Sequence, residues 1–361
     1  MAHANNDNII HECYSLADAH ITRKVKEALE KGAHSFEMCE SFGFAVALDF
    51  KKVKDKLRLG MSGIGARVHS IDEGEMLIEA DGIFAELRFS QKPKYCAARV
   101  KVWGLDKETS KKFEASTRGM FAADMVKGIM FGLHWAYMGG RGLDDVYIEE
   151  VFEDGLLDQA YPSLAVHGGL DAFIASYLDS DETVLILQGP AGAGKTRLVR
   201  KILAELSRRS IEQGGDEYGS KATALYTGDQ KAMESDEIFA RFITGEERAF
   251  VVEDADHMLR PRSDGNDNLH RFLAVADGVV RAAGRKVIFS TNLPNISDID
   301  EALARPGRCF ARVQFRDLDL AQAKTLAAAL GAPIAERIDA CGKRFLSVAE
   351  VYSMAGKAKR S

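Results

Sequence analysis

Apolar positions along this chain change their period twice. Over residues 15–31, Leu16, Ile21, Val25 and Leu29 recur at four- to five-residue spacing and Gly32 follows as a stop, which predicts a helix. Between 44 and 102 the apolar runs are short and strand-like: 44–48, 65–68 and 85–89. Turn residues such as Asp72-Glu73-Gly74 and Asp81-Gly82 separate them. The polar stretch 106–116 predicts a helix and 146–152 a strand. Beyond Tyr161-Pro162 the pattern changes, and a helix over 168–178 leads into apolar runs at 184–187, 222–226, 249–252 and 286–290, alternating with helical stretches. Such runs predict a parallel sheet covered on both faces. From Asp317 onward Leu318, Leu320, Ala323, Leu326, Ala327 and Leu330 keep helical spacing. The expected division is an α+β N-terminal domain over 1–162, an α/β core over 163–316 and a short helical lid over 317–361.

Composition adds limits. The 361 residues are 46% hydrophobic and 28% charged, enough apolar material for two or three ordinary cores, and the net charge of −6 argues against a large exposed nucleic-acid footprint. Cys13, Cys39, Cys96, Cys309 and Cys341 are scattered without a C-x-x-C pair, which points to a reducing interior and away from a zinc site. No secretory leader is visible and no apolar stretch approaches the ~18 residues of a membrane span, so a cytoplasmic protein is expected.

The strongest chemical signal is Gly189-Pro190-Ala191-Gly192-Ala193-Gly194-Lys195-Thr196, a G-x-x-x-x-G-K-[ST] string between an apolar strand and a helix opening at Arg197. Glycines let the backbone fold tightly enough for its N–H groups to surround phosphate oxygens at a helix N-terminus. In that context Lys195 neutralises the β- and γ-phosphates of ATP and the Thr196 hydroxyl ligates Mg²⁺. Gly189, Pro190, Ala191, Gly192, Ala193, Gly194, Lys195, Thr196 and Arg197 are therefore the candidate nucleotide-binding residues.

Some fifty residues on, the 249–252 strand ends in Glu253-Asp254-Ala255-Asp256. A carboxylate at the tip of a strand beside the phosphate loop holds the metal, and the next one polarises the attacking water. The usual order is Asp then Glu. Here Glu253 takes the metal-side seat with Thr196, and Asp254 the water-side seat. The strand 286–290 runs into Ser290-Thr291-Asn292, whose amide is placed to orient the same water.

These strings, followed by Asp300-Glu301-Ala302-Leu303-Ala304-Arg305-Pro306-Gly307-Arg308, resemble the AAA branch of the AAA+ ATPases in order and interval over about 165–316. The resemblance implies a ring, most often a hexamer of identical subunits, in which Arg305 and Arg308 reach the neighbouring subunit's ATP. It also implies ATP hydrolysis with Mg²⁺, used to remodel a protein client chosen by the N-terminal domain. Catalytic roles are thus expected for Glu253, Asp254, Asn292, Arg305 and Arg308.

The sequence departs from that family in three places. The acidic pair is inverted, the lid is short without a second-sensor arginine, and 227–235 has no aromatic residue where unfoldases carry a pore grip. Ser235 reads instead as the N-cap of a helix from Asp236. The loop 260–268 offers two arginines that either line a pore or sit in solvent. Two other readings stay open: a nucleic-acid-associated, helicase-loader-like ATPase, and a nucleotide-switched scaffold that hydrolyses little. Trp103 and Trp135 are expected in the N-terminal core.

Overall fold

The computed structural model describes residue 23 and residues 37–356, apart from 64, 72, 81, 93–94, 105–106, 213–222, 262–283, 304 and 306. Of the helix expected over 15–31 only residue 23, which is helical, is described, and the arginine loop from 262 onward lies outside the described residues. The described chain divides into two compact units, one of residues up to Lys127 and one of Gly128–Arg209 with residues beyond 220.

In the first unit, five antiparallel strands stand in the order β1-β5-β4-β3-β2: β1 (Glu37–Val46), β2 (Arg67–Ser70), β3 (Glu75–Ala80), β4 (Ile83–Gln91) and β5 (Cys96–Gly104). Helix α1 (Phe50–Gly63) buries Val53, Leu57 and Met61, a four-residue spacing that makes one apolar stripe. Helix α2 (Lys107–Met120) buries Phe113. Both stripes close a core with Phe44, Val100 and Phe121. Trp103 lies in this unit, partly buried, and stacks on Phe84 with ring centroids 5.0 Å apart.

The second unit is built on a seven-stranded sheet in the order β12-β8-β11-β10-β9-β6-β7. Its strands are β6 (Ile129–Gly139), β7 (Gly142–Phe152), β8 (Val184–Gln188), β9 (Ala224–Thr227), β10 (Ala249–Val252), β11 (Lys286–Thr291) and β12 (Cys309–Gln314). All neighbours are parallel except β7, which forms a hairpin with β6. Strands β8, β10 and β11 are buried at every residue, the burial that continuous apolar runs require. One face carries α3 (Leu170–Asp179), α4 (Lys195–Glu212) and the lid; the other carries α5 (Gln230–Met233), α6 (Asp236–Thr244) and α7 (Asp256–Leu259). The lid consists of α8 (Leu320–Ala329), α9 (Ala335–Asp339) and α10 (Val348–Met354), with a two-stranded ribbon of β13 (Leu318–Asp319) and β14 (Phe345–Leu346). This is an α/β fold with a parallel-dominated sheet between helices, and the chain also carries a separate antiparallel N-terminal unit.

The hairpin differs from the sequence reading, which placed residues 129–152 with the N-terminal domain and ended that domain at 162. Leu133, His134 and Trp135 of β6 pair in parallel with Ala224, Leu225 and Tyr226 of β9, so the hairpin extends the second sheet by two strands. Phe131 and Phe152 enter the core shared with α4 and the lid. Trp135 is accordingly not in the N-terminal core: it lies on the extended sheet, 46% exposed, with its ring edge toward Tyr226.

Candidate active site

The glycine loop joins β8 to α4 at the carboxyl ends of the parallel strands. Gly189 adopts φ +152°, and a Cβ there would meet the Phe315 carbonyl at 2.6 Å, so only glycine lets the loop leave β8 beside β12. Gly192 (φ +83°) faces the lid: its carbonyl accepts a hydrogen bond from the Ala349 N–H at 3.1 Å. Tyr161, buried ahead of α3, donates its hydroxyl to the Gly194 carbonyl at 3.1 Å.

Lys195 is buried. Its Nζ donates to the Gly189 carbonyl at 2.6 Å, the Pro190 carbonyl at 3.0 Å and Asn292 Oδ1 at 2.9 Å. Burial lowers its pKa below the usual lysine value, against the opposing pull of Asp254, Asp256 and Glu253. An ammonium held by neutral oxygens with carboxylates nearby is a charge in want of an anion. The neighbouring Arg197 guanidinium lies over the Tyr352 ring of α10 at 5.1 Å, joining the loop helix to the lid.

The acidic strand end stands where the register of β10 carries it. Glu253 accepts from the Thr196 hydroxyl on Oε1 at 2.6 Å and from the Tyr226 hydroxyl on Oε2 at 2.8 Å. Burial first, and then the Glu253 charge, raise the Tyr226 pKa, so the phenol stays a donor. Asp254 occupies a left-handed conformation at φ +51°, unusual for a residue with a side chain. Its Oδ1 accepts from Asn292 Nδ2 at 3.0 Å. Asp256 accepts from the Thr291 hydroxyl at 2.6 Å and from the Asn292 N–H at 2.9 Å, and thereby fixes where β11 delivers Asn292.

Lys195, Asn292 and Asp254 are thus one hydrogen-bonded chain and Thr196 with Glu253 a second beside it, brought together from the ends of three parallel strands. The Thr196 hydroxyl and the Glu253 carboxylate supply oxygen donors of the hard kind that suits Mg²⁺. The two arginines are not equivalent. Arg305 is exposed, whereas Arg308 is partly buried and donates from Nη1 to the Ala302 carbonyl at 3.1 Å within its own chain. The Arg308 carbonyl also accepts from Val184 N at 2.9 Å, anchoring this segment to β8.

Sequence reasoning gave no role to Tyr226, Asp256 or Tyr161. Tyr226 was read as a strand residue, and only the β9–β10 register brings it to Glu253. Asp256 belongs to the acidic string 253–256, where its spacing from Asp254 is the available signal.

The stretch expected to lack a pore grip is fixed to the hairpin. Asp229 caps α5 through Lys231 N at 3.0 Å and also accepts from Met138 N at 2.7 Å. Glu237 accepts from Leu143 N at 2.8 Å, and the Thr227 hydroxyl donates to the Ala136 carbonyl at 2.9 Å. Ser235 is the N-cap of α6, as expected.

Residues 185–317 match the family described as ATPase family associated with various cellular activities (AAA). Among similar proteins, a 26S proteasome regulatory subunit 6B homolog of Encephalitozoon cuniculi is 30% identical over 139 residues, 36% of this chain and 34% of that protein. An ATP-dependent zinc metalloprotease YME1 homolog of Caenorhabditis elegans is 29% identical over 143 residues, 38% of this chain and 19% of its own length. The peroxisomal ATPase PEX1 of Dictyostelium discoideum is 30% identical over 129 residues, 34% of this chain and 10% of its own length. The chain therefore spans about a third or less of the length of these relatives.

Proposed function

Residues 185–317 form an AAA domain, the domain of an ATP hydrolase, and from that premise we propose that the whole chain is a ring-forming ATPase that remodels a protein client. The observation that carries the catalytic part is the connected group Lys195–Asn292–Asp254 beside Thr196–Glu253. Lys195 leaves its loop carbonyls for the β- and γ-phosphate oxygens of ATP. Thr196 and Glu253 would hold Mg²⁺, which would supply positive charge against the phosphates. Asp254 accepts a proton from water as the water oxygen bonds to the γ-phosphorus and the bond to the ADP oxygen breaks. Asn292 orients that water.

Arg305 completes the site of the next subunit, which fits its exposure in its own chain. Arg308 acts beside it in this reading, after giving up its bond to Ala302. A homo-oligomer, hexameric by analogy with the family, follows from that division of labour. The client is a folded protein selected by the N-terminal unit, since the segment that would grip an extended chain is fastened to the hairpin through Thr227 and Asp229. Free thiols at Cys96, Cys309 and Cys341 fit a cytoplasmic setting.

The test is ATP turnover per subunit against protein concentration, with Arg305→Ala mixed into wild type. Turnover that rises with concentration and is poisoned by the variant supports shared sites. Turnover indifferent to both sinks the ring reading. The inverted Glu253-Asp254 order favours one second reading, a nucleotide-switched scaffold, which would bind ATP with negligible turnover until the pair is exchanged to Asp-Glu.

A further inference from the structure

A glutamate in the metal-side seat has one more rotatable bond than the aspartate usual there. Its carboxylate must be held if it is to present the same oxygen each time. In this chain both oxygens already have donors, Thr196 on Oε1 at 2.6 Å and Tyr226 on Oε2 at 2.8 Å. The register accounts for the second. Tyr226 of β9 pairs with Val251 of β10, so Glu253, two residues further on, projects from the same face one step beyond the phenol. The Tyr226 ring is itself braced. Trp135 of β6 pairs with Tyr226 in the register and sets its ring at 73° to it, centroids 6.5 Å apart. The indole therefore backs the phenol, the phenol backs the carboxylate, and the chain of contacts begins on the strand that the hairpin adds to the sheet.

We infer that Tyr226 is a positioning residue for the metal-side carboxylate: it engages Glu253 Oε2 and leaves Oε1, beside the Thr196 hydroxyl, to face the cation. The inference rests on the nucleotide-and-Mg²⁺ reading proposed above. It also explains how the longer acid is accommodated, since the hydroxyl removes the freedom that the extra methylene introduces. Partners of this kind, one step removed from a metal, typically contribute 10- to 100-fold to its affinity.

Tyr226→Phe deletes the hydroxyl and keeps the ring against Trp135. In the full chain, binding of a fluorescent ATP analogue would be titrated with Mg²⁺, and separately measured in EDTA. The expected result is a Mg²⁺ half-saturation raised roughly 10-fold or more, with metal-free binding of the analogue unchanged within about twofold. Glu253→Asp supplies the second arm. Its carboxylate is drawn back from the phenol, so adding Tyr226→Phe to it should shift Mg²⁺ dependence little further, and this coupling is insensitive to a general loss of stability. A Mg²⁺ half-saturation within twofold of wild type in Tyr226→Phe overturns the inference, as do independent, multiplying effects in the double variant. A wild-type protein that binds no analogue, or binds it without regard to Mg²⁺, would instead overturn the nucleotide reading itself.

Discussion

Asn292 donates its side-chain amide to Asp254 at 3.0 Å while its carbonyl oxygen accepts from Lys195 at 2.9 Å. One short amide thus spans the group proposed to activate water and the cation proposed to hold phosphate. Asn292→Ala breaks that span without removing either charge. Turnover should fall roughly 10²-fold, the scale of an ångström misplacement, with ATP affinity changed only a few-fold. Steady-state kinetics beside equilibrium binding separate the two, and a loss confined to binding would contradict the assignment.

Lys195 ties nucleotide binding to alkaline pH. Burial lowers its pKa in the ATP-free protein, and phosphate beside the ammonium raises it. The Lys195 contribution to affinity is therefore complete below the lowered free-state value, and is lost as pH rises toward the higher bound-state value. ATP affinity should begin to decline below the ordinary lysine pKa of 10.5. The ATP-free fold behaves oppositely: its cationic Lys195 is disfavoured by burial, so this residue adds stability as pH rises past the lowered value. Calorimetric titrations at several alkaline pH values check the sign, and Lys195→Met should abolish both trends.

Asp254 sits at φ +51°, where most side chains cost about 1–2 kcal/mol but Asn and Asp are tolerated. Asp254→Asn and Asp254→Ala should both lose at least ~10²-fold in turnover, because neither accepts a proton. Only the alanine variant should lose stability, by about 1 kcal/mol or more. Thermal melting of the pair is the measurement, and equal melting temperatures would argue against the left-handed geometry.

The two arginines should separate on stability. Arg308→Ala removes a hydrogen bond to the Ala302 carbonyl worth about 1 kcal/mol and should lower the melting temperature by a few degrees. Arg305→Ala, at an exposed position, should leave melting unchanged while removing turnover. If both variants melt alike, Arg308 does not hold its own chain as described.

The hairpin should report on nucleotide. Phe131 is buried in the core it shares with α4, so Phe131→Ala should cost about 3–5 kcal/mol. Val146, 48% exposed on the partner strand, should tolerate alanine within about 0.5 kcal/mol. The transition lowered by Phe131→Ala should be the one that ATP raises. If ATP raises a different transition, the hairpin melts apart from the nucleotide unit.

Much of this site was legible because it is written in local strings. The glycine loop, the acids ending β10 and Asn292 ending β11 each carry their chemistry within a few residues of a recognisable strand. Pairing between strands was not legible. The run 146–152 announces a strand but not its neighbour, and no strand was predicted over 129–139, so the hairpin went to the N-terminal domain although its register runs along β9. Tyr226 escaped for the same reason: nothing in the chain says that residue 226 stands one step short of residue 253. Arg305 and Arg308 look alike in sequence, and only the path of the backbone around Gly307 turns one outward and ties the other to Ala302.

The hydrogen bond from the Ala349 N–H to the Gly192 carbonyl satisfies one of the amides that the first turn of α10 leaves unpaired. The phosphate loop is in that sense part of the lid helix's cap. A bond of this kind is worth about 1 kcal/mol, or roughly a fivefold bias in an equilibrium. A rearrangement of Gly192 that broke this bond would therefore weaken the lid's attachment to the loop by about that factor. The same factor must run backward, so that a client or neighbour pressing on the lid alters the loop's grip on nucleotide. A signal this faint cannot throw a switch in one subunit, but in the ring proposed above it would recur at every site and its factors would multiply.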